Sequence, residues 1–370
     1  MNPMRSRIFN VIMPAISLFL LTGCGGERNP MGNIRPPADT VGFAQHAHQM
    51  DQVVEQINRT WGSRIDEMLS DAGIAAKDQW KTVISPHDDY GYAGYLYPAA
   101  LRNVKGHTVI LLGVAHKARL LHLEDQLIFD SYDAWKGPFG PVKVSDAREF
   151  LISQLPLQAF QVNDSMHRME HSLEALVPFL QEQDRNIEIV PVLVPYMPYE
   201  KMNTLAIPLA EAIHTLAQER KWQWGRDYTL VISNDAVHYG DEDWGGKNYA
   251  HYGTDSAGYR SAVAHEWEII HTLAGELQPG NIRSFCEYTV EEANYKEYKW
   301  PWCGRYSVPF GLLTSYHLNH LITSQPLVGY PVGYASSIDH EPLQVEALGM
   351  GFTAPANLRH WVGYAVIGYK

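Results

Sequence analysis

An α/β fold with a largely parallel central sheet is predicted by three features of the sequence. Short apolar runs at 82–85, 108–112, 187–194 and 228–233 have the length and composition of buried strands. Helices are predicted between them, and strands that alternate with helices need crossovers that leave neighbouring strands parallel. Three of these strands also end in a polar cluster with a histidine, at the strand ends where ligand sites form in open α/β sheets.

The chain of 370 residues begins with Arg5 and Arg7 ahead of an apolar run over 8–21, the charge-then-apolar order of a secretory signal. That run is about 14 residues long, short of the roughly 20 needed to span a membrane. Leu21-Thr22-Gly23-Cys24 resembles the bacterial lipobox, which predicts cleavage before Cys24 and a lipid anchor on its thiol. The expected organisation is a signal peptide at 1–23, a flexible Gly/Pro-rich tether at 24–42 and an α/β domain at 43–370. The mature protein would then be exported and membrane-anchored, facing the periplasm or the cell exterior. A net charge of -12 removes the electrostatic term that nucleic-acid binding depends on, so no nucleic-acid partner is expected. Of three cysteines, Cys286 and Cys303 remain after the anchor, free to pair in an oxidising compartment or to bind metal.

The elements follow in order. Val53, Val54, Ile57, Trp61, Ile65 and Met68 recur at helical spacing and predict a helix over 44–72. The strand at 82–85 ends in Pro86-His87, and a Gly/Tyr-rich turn leads to a helix near 94–102. The next strand, 108–112, ends in Gly113-Val114-Ala115-His116. Leu173, Leu176, Val177 and Leu180 share one face of a helix predicted over 170–183. A strand at 187–194, a helix at 200–219 and a strand at 228–233 ending in Asn234-Asp235 come next. Residues 239–254 read as a loop, 255–275 and 306–320 as helices, and 361–369 as the last strand.

His87, His116 and the pair Asp235 and His238 are therefore expected to converge at one edge of the sheet. At that edge Asp235 could orient the His238 imidazole and raise its pKa for general acid/base work. Cys303 stands in a Trp300-Pro301-Trp302-Cys303-Gly304-Arg305 turn just before a helix, a setting that lowers a thiol's pKa and favours metal binding. Glu170 and Glu174 are expected on one helical face, with Glu170 and His171 at its start as partners behind metal ligands. Tyr90, Tyr92, Tyr95 and Trp302 stand near these residues and suit an aromatic substrate, a peptide or simple packing.

Six motifs occur in order: Pro86-His87-x-x-Tyr90-x-Tyr92-x-Gly94, Leu112-Gly113-x-x-His116, Gly137-Pro138-x-Gly140-Pro141-Val142, Glu170-His171-Ser172-Leu173-Glu174 with Pro178-Phe179-Leu180, Ser233-x-Asp235-x-x-His238-Tyr239 and Cys303-Gly304-Arg305. Together they resemble the Memo-like family, called AmmeMemoRadiSam system protein B in bacteria. The resemblance implies the α/β/α sandwich of class III extradiol dioxygenases. It also implies iron or copper, with zinc less favoured, held by His87, His116 and Cys303, with Asp235 and His238 lining the same pocket. The implied activity is that of a metal-dependent oxidoreductase, or, without turnover, a metal-handling or peptide-binding protein. Asp88-Asp89 and Asn234 depart from the family pattern, the first adding negative charge at the pocket mouth. An exported address also separates this chain from the radical SAM partner of many relatives.

Overall fold

The computed structural model describes residues 32–370, so Cys24 and the expected signal peptide lie outside the described residues. The strands are β1 (Ile34–Arg35), β2 (Thr82–Ser85), β3 (Thr108–Val114), β4 (Leu127–Phe129), β5 (Ala134–Gly137), β6 (Gly140–Val144), β7 (Phe160–Val162), β8 (Glu188–Val194), β9 (Tyr228–Ser233), β10 (His238–Gly240), β11 (Gly275–Glu276), β12 (Val328–Ser336) and β13 (His360–Tyr369). The helices are α1 (Ala47–Asp71), α2 (Tyr90–Ala93), α3 (Leu96–Leu101), α4 (Ala147–Gln154), α5 (Asp164–Arg168), α6 (Val177–Gln183), α7 (Tyr199–Arg220), α8 (Ser256–Thr272), α9 (Pro279–Thr289) and α10 (Ser307–Ile322).

The main sheet runs β1-β5-β6-β8-β3-β9-β2-β13-β12-β11. Its central block β6, β8, β3, β9 and β2 is parallel, and β13 and β12 extend it antiparallel. Because successive side chains of a strand point to opposite faces, each central strand feeds two cores. Val83, Val109, Leu111 and Val231 pack on one face beneath α1, α3 and α6. Ile84, Ile110, Leu112 and Ile232 pack on the other beneath α7 and α10. The result is the expected α/β/α sandwich, and it carries the ends of β2, β3 and β9 to one edge.

Several elements differ from the sequence expectation. The predicted helix at 170–183 begins only at Val177, with Pro178 in its first turn; the backbone N–H groups of His171 and Ser172 are held by the Glu170 carboxylate instead. Glu170 and Glu174 therefore share no helical face. The helix at 94–102 is α3, and the Gly/Tyr-rich turn before it holds a further short helix, α2; β4 to β7, α4, α5, α9 and β12 have no counterpart in the sequence pattern. Among the described residues no helix is long and apolar enough to cross a membrane.

The expected tether at 24–42 needs correction over its second half. From Ile34 onward the chain is built into the fold: β1 pairs with β5, and Arg35 is 1% exposed. The Arg35 guanidinium meets Glu174 at 2.5 Å, donates to the carbonyls of His167 and Glu170, and lies 4.1 Å over the Trp135 ring. Glu174 in turn accepts the Ala38 and Asp39 N–H groups. Arg35→Ala should leave Glu174 as an unpaired buried charge and cost about 3–5 kcal/mol. Equilibrium urea unfolding checks this, and a change below about 1 kcal/mol would show that the segment 34–39 is seated by other contacts.

Candidate metal centre

Beyond the carboxyl end of β2, His87 is buried, at 1% exposure. Its Nδ1 lies 2.6 Å from Ser233 Oγ at the end of β9. Ser233 Oγ spends its single proton on the Ser172 carbonyl at 2.6 Å, so it must accept from His87 Nδ1–H. That fixes the tautomer and leaves a lone pair on Nε2. Burial, then the neighbouring His116 and His171 rings, hold the His87 pKa well below its ordinary value and keep the ring neutral.

His116 follows β3, and its Nδ1 lies 2.8 Å from Glu170 Oε1. A carboxylate oxygen only accepts, so this imidazole too carries its proton on Nδ1 and presents Nε2. Glu170 also accepts the backbone N–H groups of His116, His171 and Ser172. Burial opposes its charge, but His116 and these donors hold its carboxyl well below the usual range.

Cys303 comes from the segment before α10. Its backbone N–H donates to the Asp235 carbonyl at 3.2 Å, and Val237 and Trp302 form an antiparallel bridge. Asn234 Oδ1 accepts the Gly304 N–H at 3.0 Å, and a Cβ on Gly304 would come within 2.1 Å of that oxygen, so only glycine fits. The thiol lies 3.4 Å from His87 Nε2. Donor atoms of His87, His116 and Cys303 all fall within 4.8 Å of one another. Two imidazoles with fixed free lone pairs and one sulfur make a donor set suited to a transition metal, and each imidazole proton is already held by an oxygen partner.

The expected low thiol pKa is not found: burial, then the Asp235 charge, push the Cys303 thiol well above its ordinary value. Three residues separate it from the start of α10, and desolvation outweighs the helix terminus. Cys286 and Cys303 are both free thiols.

Asp235 and His238 are brought close, but not as a pair. Their donor atoms lie within 4.8 Å of each other and of the Cys303 sulfur, with no hydrogen bond between the two side chains. Asp235 Oδ1 instead accepts the His87 N–H at 2.8 Å. His238 begins β10, which pairs with β13. Its Nε2 is buried without a partner, and its ring lies 5.2 Å from Trp244 of the 239–254 loop. Burial, then the charge of His116, push the His238 pKa down to about 3, the opposite of the expected rise. His171 stacks on His116 at 4.9 Å.

A cavity of about 350 Å³ opens beside the group, lined by His87, His171, Asp39, Phe43, Lys117 and Thr353 among others. Asp88 and Asp89 reach it but are tied back, Asp88 to the Tyr364 hydroxyl and Asp89 to Thr353 N–H and Oγ1. Burial, then the neighbouring Asp88, raise Asp89 to about 7, so the expected negative mouth is partly neutralised. Tyr90, Tyr92, Tyr95 and Trp302 do not line this cavity; Tyr90 and Trp302 are fully buried in the core.

Sequence reasoning gave no role to Ser172 and Ser233, although both stand inside quoted motifs. It missed Glu266 altogether. This α8 carboxylate accepts both indole N–H groups of Trp300 and Trp302 at 2.6 Å and the Val237 N–H at 3.1 Å, clamping the Cys303 turn to the β9–β10 connection. A lone Glu on a helix carries no sequence signal for that task.

Fold and site together define an α/β sandwich protein with a two-histidine, one-cysteine donor set, a candidate metal centre, at its strand ends. A family model described as Memo-like protein matches residues 52–324, and the chain belongs to that family. Similar relatives include MEMO1 family proteins of Pyrococcus furiosus, 26% identical over 43% of this chain and 52% of the relative, and of Aquifex aeolicus, 29% identical over 43% and 54%. A third, from Archaeoglobus fulgidus, is 31% identical over 46% of this chain and 60% of the relative. The matched region thus spans little more than half the length of these relatives.

Proposed function

We propose that this protein is a metal-dependent oxidoreductase of the cell envelope, with iron or copper held by His87, His116 and Cys303. The observation that carries the reading is the locked presentation of both Nε2 lone pairs toward the Cys303 sulfur, beside a cavity large enough for a small molecule. Three protein donors leave a coordination position free, and imidazole with thiolate suits iron and copper. Bound iron or copper would supply one-electron redox chemistry there.

The protein's own contribution is orientation and proton handling. Ser233 and Glu170 fix the two imidazoles, and the cavity wall of Phe43 and His171 orders the substrate against them. His238, with Nε2 unpartnered beside the sulfur, is the group placed to accept a hydrogen bond from a bound substrate; with its pKa pushed down to about 3 it takes up a proton only transiently and returns it readily. With the metal loaded, His238→Gln should keep metal and fold but lose roughly 10² to 10⁴ in turnover. Oxygen consumption over a panel of catechols and reductants is the assay. A metal-loaded wild-type protein that turns over none of them would favour metal handling without catalysis.

The envelope location rests on the lipobox-like run Leu21-Thr22-Gly23-Cys24 behind an apolar segment. Cys24→Ser should leave the chain unprocessed or release it from the membrane. Fatty-acid label incorporated into the Cys24→Ser protein would contradict the anchor.

A further inference from the structure

Among the described residues three arginines are buried: Arg35 at 1% exposure, and Arg148 and Arg305 at 7% each. Two of them have their own acid, Arg35 with Glu174 at 2.5 Å and Arg148 with Asp130 at 2.7 Å. Arg305 has none among the described residues. Its Nε is buried without a partner, Nη2 makes a 3.4 Å contact to the Lys296 carbonyl, and its other polar neighbours are the neutral Tyr298 and Tyr306 hydroxyls. The guanidinium instead lies between two rings, 3.4 Å over Tyr298 and 4.6 Å over Tyr306. Arginine does not shed its proton in proteins, so this charge stays, and a buried charge lacking an anion is costly.

Arg305 forms part of the wall of a cavity of about 620 Å³ that shares no residue with the metal centre. That volume lies in the range of small-molecule sites. Tyr199 of α7 and Tyr306 give the cavity aromatic walls, and Cys286 of α9 reaches it as well. The other cations lining it are engaged: Arg283 meets Glu200 at 3.0 Å, and Lys299 donates to the Glu287 carbonyl at 2.8 Å. Glu287, Glu291 and Glu292 are exposed on the same lining, so the cavity is acidic where it meets solvent and carries an uncompensated cation at depth.

We propose that this cavity is a second ligand site, taking a small aromatic carboxylate whose carboxylate pairs with Arg305 and whose ring lies against the tyrosines. The planar guanidinium matches a carboxylate with two parallel N–H donors. The exposed glutamates select against a second negative charge and favour a neutral or cationic far end.

The purified protein is titrated calorimetrically with benzoate, 4-(aminomethyl)benzoate, benzylamine and inorganic phosphate. Cys286 gives a local second readout. Burial pushes its thiol up to about 12, so alkylation by iodoacetamide is slow, and its rate at the Cys286 peptide reports access to the cavity. Both carboxylates should bind with a Kd of about 1 mM or tighter and slow Cys286 alkylation several-fold, whereas benzylamine and phosphate do neither. Arg305→Met should weaken both carboxylates at least about tenfold, with Arg305→Lys between it and wild type. Should the methionine variant fail to fold, the wild-type protection pattern decides alone. Carboxylate binding that leaves Cys286 alkylation unchanged, equal protection by benzylamine, or no carboxylate binding at 10 mM, roughly ten times the expected Kd, would overturn the proposal.

Discussion

Alanine at His87, His116 or Cys303 should each empty the metal centre under conditions where wild-type protein is saturated. Each change deletes a direct bond and leaves two donors, too few to hold a transition metal against a competing chelator. Glu170→Gln and His238→Gln act differently. The first loosens the hold on His116 Nδ1, and the second alters a ring beside the sulfur, so affinity should fall by only roughly 10 to 100-fold. Equilibrium dialysis against a graded series of chelators separates the two classes. Equal metal content in His87→Ala and His238→Gln would contradict the ligand assignment.

The second large effect concerns Glu266. Burial raises its carboxyl to about 7 from an ordinary 4.5, against the opposing pull of the Trp302 and Trp300 indole N–H groups. A group with a raised folded-state pKa stabilises fully below its unfolded value, and that contribution is lost as pH rises through the folded value. Glu266 should therefore contribute a loss of stability between pH 5 and pH 8, opposite in sign to the gain from the buried neutral histidines, and Glu266→Gln, which keeps a carbonyl acceptor for the indoles, should remove about 2.5 kcal/mol of loss. Asp89, also raised to about 7, adds a fall of the same sign, so the difference between the two proteins isolates Glu266. Denaturant unfolding at the two pH values gives that difference. Parallel pH profiles would show that the carboxyl is ionised throughout and that the clamp on the Cys303 turn is a permanent carboxylate.

The sequence made the centre of the sheet legible because β2, β3, β8 and β9 are buried on both faces, so each reads as a mainly apolar run, and three of the four are closed by a polar cluster. Parallel order then turned strand ends into neighbours, which is how His87 and His116 could be foreseen together. Short peripheral strands gave no such run: β4 and β7 are three residues each, and β12 contains Gly and Pro. Arg35 was hidden for another reason. Its partner Glu174 lies 139 positions away, and a lone cation in a Gly/Pro-rich stretch looks solvated until the fold supplies the acid. The spacing of Asp235 and His238 brought the two residues close but did not fix their bonding. A single backbone N–H from His87 captured the carboxylate, and pairing of β10 with β13 set the imidazole apart. Glu266 acts across 36 positions to reach Trp302, beyond any local pattern.

The central claim is that His87, His116 and Cys303 hold a redox metal in the working protein. Elemental analysis of protein isolated from its native cells without added metal, alongside its Cys303→Ala variant, tests this most directly. The account predicts about one iron or copper per wild-type chain and a near-complete loss of it in the variant. Wild-type protein free of both metals, or a variant that retains the same content, would contradict it.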